Sequence, residues 1–152
     1  MEWTDQGLVL GARPHGESSV VLELMTPARG RHLGLVRGGR SRRLSPVLQP
    51  GNTVQVVWRA RLDEQLGQFS VELITSRAAR LMADPASIFA LQTLTAHLRL
   101  LAEREPHGAL HGAVARSLGT RARRIAALMV FRVLAIGGVW SPGLHPSPWE
   151  LG

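Results

Sequence analysis

The stretch QPGNTVQVVWRARLDEQLGQFSVELIT, residues 49–75, decides the fold class. It opens on Gln49-Pro50-Gly51-Asn52, with proline and glycine at the two central positions of a type II turn. Val54, Val56 and Trp58 then fall in phase, as the inward side of a strand would. After the link LDEQLG (62–67), Phe69, Val71 and Leu73 alternate against Gln68, Ser70 and Glu72. Two alternating runs with a short polar link read as a hairpin.

The same period extends toward the N-terminus. SSVVLELM puts Val20, Leu22 and Leu24 on one face, with Val21 and Glu23 on the other. TPARGR (26–31) is a turn, and RHLGLVRG is the partner strand, with Leu33 and Leu35 expected inward. QGLVLGAR supplies a further strand, so residues 6–75 hold five short strands with glycine-rich bends. That pattern suggests a small closed or partly closed barrel of the OB type.

After Thr75 the period becomes helical. Asp84 followed by Pro85 is a helix start, and apolar residues at 88, 91, 94, 98 and 101 keep one face until Pro106 and Gly108 end it. A short helix over 109–118 and a longer one over 120–136 follow, stopped by Gly137-Gly138. The fold class is α+β: a five-stranded OB-type barrel over 1–76, a short all-helical segment over 80–138, and a loose tail over 139–152. There is no internal repeat.

Charge narrows the function. The 152-residue chain carries a formal net charge of +7, and all of its 18 basic residues are arginine. Between Glu23 and Asp63 there is no acidic residue, yet that interval holds Arg29, Arg31, Arg37, Arg40, Arg42, Arg43, Arg59 and Arg61. A single-sign tract is a directional field, and arginine grips phosphate through a planar fork. In an OB-type barrel the face of strands 2 and 3 and the adjoining loops bind single strands. These eight arginines are therefore the candidate residues for binding a nucleic-acid strand. The four at 37–43 lie on a loop that Gly38 and Gly39 are expected to loosen. The competing reading is a disordered loop whose charge only keeps the protein soluble.

Other residues limit the alternatives. Trp58 and Phe69 share the core parity, while Trp3 reads either as a stacking platform or as a hydrophobe capping the barrel's end. With so few aromatics, affinity should be mostly electrostatic. Without cysteine there are no disulfides and no cysteine-ligated zinc; without lysine there is no phosphate loop of the Gly-Lys type. No Gly-x-Ser-x-Gly elbow occurs. His15-Gly16-Glu17-Ser18 reads as a turn held by local side-chain bonds, not a triad. His107 and His111 could form a two-histidine metal site, but Pro106 and Gly108 break the helix it needs, so they read as surface histidines. Glu103 and Glu105 read as solvated charges at a helix end. The expectation is a protein that is not an enzyme and needs no cofactor.

The start MEWTDQGLVLG is not a signal peptide, and the apolar run 125–140 is too short for a bilayer and carries Arg132. A cytoplasmic protein with no membrane partner is expected.

The residues also carry a resemblance. GLVLGARPHGESSVVLELMT, then GRHLGLVRGGRS, then LQPGN, resemble in order and spacing the N-terminal domain of the RecO family of bacterial recombination and repair mediators. The resemblance covers residues 1–107, including DPASIFALQTLTAHLRLLAEREPH. It implies an OB-fold and a helical domain, binding of single- and double-stranded DNA, strand annealing, and partnership with RecR and the single-strand-binding protein in loading recombinase. It places Arg37, Arg40, Arg42 and Arg43 where the family's basic DNA-facing surface begins. After His107 the chain departs from the family pattern, and 108–152 read as a truncated or frame-shifted tail. That departure puts the docking of the single-strand-binding protein in question, because the family receives it on the helical domain. An RNA-binding OB protein and an adaptor gripping an acidic partner tail remain the alternatives.

Overall fold

The structure, a computed structural model, describes residues 1–118. The expected helix over 120–136, the apolar run 125–140 and the tail 139–152 lie outside the described residues.

Strands β1 (Glu2–His15), β2 (Ser19–Thr26), β3 (Gly30–Val36), β4 (Thr53–Arg59) and β5 (Gln68–Thr75) close into a barrel in the order β1-β2-β3-β5-β4. β1 serves two neighbours: residues 2–8 pair with β4 and residues 8–15 with β2. The register shifts between Val9 and Gly11, a bulge that bends the strand from one partner to the other. β3 and β5 run parallel and meet only where Leu35 pairs with Gln68. This is the expected OB-type barrel.

Its interior holds Val9, Val20, Leu22, Leu24, Val36, Val54, Val56, Trp58 and Phe69, all buried. Trp3 stacks on Trp58 with ring centroids 5.6 Å apart and meets Phe69 and His32 edge-on, so it fills the barrel's end as the capping reading had it. β3 corrects the sequence reading. His32, Gly34 and Val36 point inward, while Leu33 and Leu35 face outward. The reason is space: a Cβ on Gly34 would lie 2.5 Å from the Phe69 ring, so β3 must offer its smallest residue to the aromatic cluster. Leu73 is a second correction. The β4–β5 ladder slips between Thr53 and Val54, and Leu73 emerges 45% exposed while Phe69 and Val71 stay packed.

Helices α1 (Ala78–Met82), α2 (Pro85–Leu98) and α3 (Gly108–Ser117) follow. The Asp84 carboxylate accepts from the Ala86 and Ser87 N–H groups, capping α2 as expected. α2 ends at Leu98 rather than at Pro106, because its last turn tightens: Leu101 N–H donates to the Leu98 carbonyl and the Arg31 Nε takes the Leu101 carbonyl. Gly108 opens α3 instead of stopping a helix. Leu81, Leu91, Leu94, Leu98, Leu110, Val114 and Leu118 pack on Leu8, Leu10 and Met25, a second core that fastens the helices to the outside of the barrel. α1 escaped the sequence reading because five residues are too few to show a period.

Candidate nucleic-acid interface

The arginine-rich stretch between β3 and β4 is an ordered plug. Ser45 N–H donates to the Ser41 carbonyl and Leu48 N–H to the Leu44 carbonyl, and the Ser41 hydroxyl accepts from Leu44 N–H. Successive hydrogen-bonded turns result, and they direct Leu44, Val47 and Leu48 into the barrel's inner core. The glycine pair tightens this segment rather than loosening it. A Cβ on Gly39 would come within 2.5 Å of Val20 and 3.2 Å of the Val36 carbonyl. Gly38 has φ +66°, which glycine adopts without strain.

Asn52 fixes the plug's far end. It is 1% exposed, and its amide is fully used: Nδ2 donates to the Pro46 and Val47 carbonyls, and Oδ1 accepts from the Arg77 and Ala78 N–H groups. One side chain thereby ties plug, barrel and α1 together.

With its apolar side buried, the plug presents Arg37, Arg42 and Arg43 to solvent. None of the three has a hydrogen bond or ion pair to any described residue. Arg40 differs. Its Nη1 donates to the Gly16 and Glu17 carbonyls, and its backbone N–H to the Ser18 carbonyl. It tethers the plug to the β1–β2 turn, so that turn is held by Arg40 and not by its own side chains.

The other four candidates sit elsewhere. Arg31 is 14% exposed at its side chain and committed: Nη1 lies 2.9 Å from Glu23 and Nη2 3.3 Å from Glu103. Arg29, on the β2–β3 turn, lies over the Trp3 ring at 5.6 Å. Arg59 makes a two-pronged pair with Glu2 at 2.7 and 3.2 Å, which holds the Glu2 carboxyl below its ordinary pKa. Both partners are well exposed, so the pair is screened and easily exchanged for another anion. Arg61 lies past the end of β4, exposed beside Arg59, Gln68 and Ser70. The structure therefore brings Arg37, Arg40, Arg42 and Arg43 together, groups Arg59 with Arg61, and leaves Arg29 and Arg31 apart.

The link from α2 to α3 crosses the barrel beside them. Glu103 bridges to Arg31, Arg104 N–H donates to the Arg31 carbonyl, and the Arg104 guanidinium donates to the Asp63 and Gln65 carbonyls. This laces shut the gap between β3 and the β4–β5 loop. Glu103 is thus an ion-pair partner as well as a solvated charge.

Two further arginines were missed. Arg13 projects from β1 with no partner among the described residues, and Arg99 lies against Gly11 with its Nε 2.8 Å from Glu23. Both fall outside the acid-free tract, so charge runs could not flag them.

The histidines depart from the surface reading. His107 and His111 are half-buried, and neither Nε2 has a hydrogen bond to a described residue, although His107 Nε2 lies 4.0 Å from a Glu105 carboxylate oxygen. Burial lowers the His111 pKa, and it does the same for His32 inside the barrel. Among the described residues no group of three or more His, Cys, Asp or Glu could hold a metal ion. No described helix is long and apolar enough to cross a membrane.

Comparison with known proteins fits this architecture. The family model "Recombination protein O N terminal" matches residues 1–77. The DNA repair protein RecO of Mesorhizobium japonicum is 61% identical over 114 residues, which cover 75% of this chain and 45% of that protein. RecO of Methylobacterium nodulans is 65% identical over 113 residues, covering 74% and 46%. RecO of Chelativorans sp. is 62% identical over 114 residues, covering 75% and 46%. The chain spans about half the length of these curated relatives. With a closed five-stranded barrel, an arginine-bearing plug and this level of identity, the chain belongs to the RecO family.

Proposed function

We propose that this protein acts in DNA repair and recombination by binding the DNA backbone through the plug. The observation that carries the reading is the pairing of order and freedom at one place. Leu44, Val47, Leu48 and Gly39 hold the plug's backbone in place, while Arg37, Arg42 and Arg43 are exposed and pair with no described residue. A backbone already held in place leaves only side-chain entropy to be lost when these guanidinium groups meet phosphates, and no carboxylate among the described residues pairs with them.

The role is that of a binding mediator without enzymatic chemistry. By neutralising phosphates it lowers the repulsion between two strands, which favours annealing of complementary DNA, single- or double-stranded DNA serving as ligand. Handing DNA to a recombinase together with RecR and the single-strand-binding protein is the corresponding step in the cell, and a cytoplasmic location follows from that work.

The test is titration of a fluorescent single-stranded oligonucleotide at several salt concentrations. Three phosphate contacts give a log–log slope of roughly −2, at ~0.7 per contact. An Arg37/Arg42/Arg43→Ala variant should flatten that slope. Arg40 is left intact because it holds the β1–β2 turn. Equal binding by the variant would refute the assignment.

A further inference from the structure

Helix α2 is apolar on more than the face it buries. Between Pro85 and Leu98 it carries no Asp, Glu, Lys or Arg. Ala90, Leu91, Leu94, Thr95 and Leu98 are buried beneath it. A second row runs along the outside. Met82, Ala86, Phe89, Thr93, Ala96 and Leu100 recur at alternating steps of four and three residues, the spacing at which one helix packs along another. Phe89 is 68% exposed and Leu100 81%; Met82, Ala86 and Ala96 are exposed as well, and Thr93 is half-buried. A surface helix ordinarily turns a charged face to water, so an uncharged outer row of this kind marks a face that meets another protein surface.

Size and charge along the row select what covers it. Its bulky residues, Met82, Phe89 and Leu100, are interleaved with the small ones, Ala86, Thr93 and Ala96. A second copy turned end for end about the middle of α2 sets Phe89 against Thr93 and Ala96 of the first, and Leu100 against its Met82 and Ala86. The same reversal brings Asp84, at the start of α2, beside Arg99 of the other copy, and the two-fold makes that contact twice. Glu23 takes the Nε of Arg99, whose side chain is otherwise half-exposed. A parallel pair would instead stack Phe89 on Phe89 and Arg99 on Arg99. Antiparallel packing also opposes the two helix dipoles. With 14 residues α2 is ~21 Å long, so the pair buries less than the ~1,000 Å² of a stable interface and associates weakly and reversibly.

We propose that the outer row of α2 is a self-association face, on which a second copy of this chain packs antiparallel. The pairing itself is independent of the plug; only its consequence rests on the DNA-binding reading. The row includes no residue of the plug, so a pair carries two plugs and holds two strands at once, which is what bringing complementary strands together requires.

The experiment measures the mass of the whole chain in solution, without DNA, from ~1 to ~300 μM, the range of weak interfaces. The mass should rise with concentration from 16.5 kDa toward twice that value. Phe89→Glu sets two like charges near the two-fold and should stay monomeric throughout, with its urea midpoint unchanged because the side chain is exposed. The chain has no cysteine, so introduced thiols report the arrangement. Under mild oxidation Thr93→Cys, near the centre, should link to its own copy and Ala86→Cys should not, while Ala86→Cys mixed with Leu100→Cys should link to each other. A wild type that stays monomeric over the whole range overturns the proposal, and so does a Phe89→Glu variant that pairs as strongly as the wild type. A monomer whose urea midpoint falls on Phe89→Glu shows the row covered by the chain itself, which overturns the proposal too. Self-linking of Ala86→Cys as readily as Thr93→Cys overturns the antiparallel sense. Because no DNA is present, failure of the plug to bind DNA leaves every one of these outcomes where it stands.

Discussion

Asn52→Ala is the sharpest test of how the plug is held. The amide is 1% exposed and makes four hydrogen bonds, two to carbonyls of the plug and two to N–H groups at the start of α1. Alanine strands all four partners where water does not reach. The carbonyls tolerate this better than the N–H groups of Arg77 and Ala78 do. At ~1–3 kcal/mol for each of the two unsatisfied buried donors, the loss is about 2–6 kcal/mol. With a urea m-value of ~2 kcal/mol/M, the middle of the range for small proteins, the midpoint followed by tryptophan fluorescence should fall by roughly 1–3 M. Asn52→Asp separates the two halves of the node. It keeps the acceptor for Arg77 and Ala78 but aims a carboxylate at the Pro46 and Val47 carbonyls. Burial and those carbonyls would raise the pKa of the new aspartate. Its destabilisation should therefore shrink as pH falls toward the carboxylic range and grow as pH rises. If Asn52→Ala unfolds within ~0.5 kcal/mol of the wild type, below the range for even one stranded donor, the node does not join plug to helix and the reasoning is wrong.

Three other outcomes follow from the packing. Gly34→Ala pushes a methyl against the Phe69 ring, where a Cβ would lie at 2.5 Å, and should cost about 1–3 kcal/mol with a changed tryptophan emission as Trp58 is displaced. His32 and His111 have pKa values lowered by burial, so the unfolded chain binds their protons more readily. Stability should be full above the unfolded value of ~6.5 and decline as pH falls, by up to ~1.4 kcal/mol per pH unit for each histidine; His111→Gln should remove one proton's share of that slope in urea midpoints measured from pH 8 to 5. Arg40→Ala should release the β1–β2 turn, read as faster cleavage after Glu17 by a glutamyl endoprotease, while overall stability drops by less than ~1.5 kcal/mol.

Alternation made most of the barrel legible. Val54, Val56, Trp58 and Phe69 are buried where period two puts them, and the Asp84-Pro85 cap begins α2 where the residue types require it. β3 defeated the same rule for a physical reason. Its sequence offers two leucines in one phase and a histidine, a glycine and a valine in the other, so hydrophobicity alone selects the wrong face. What decides the phase is the volume of Trp3, Trp58 and Phe69, contributed by β1, β4 and β5, and no local window contains it. A strand whose phase is reversed hides its outer leucines, Leu33 and Leu35, in an imagined core. Charge misled in a parallel way. The acid-free tract gathers Arg31 with Arg42, yet Glu23 and Glu103 reach Arg31 from outside the tract and nothing described reaches Arg42. Formal charge along a chain locates a field, but only the fold says which charges are already spent.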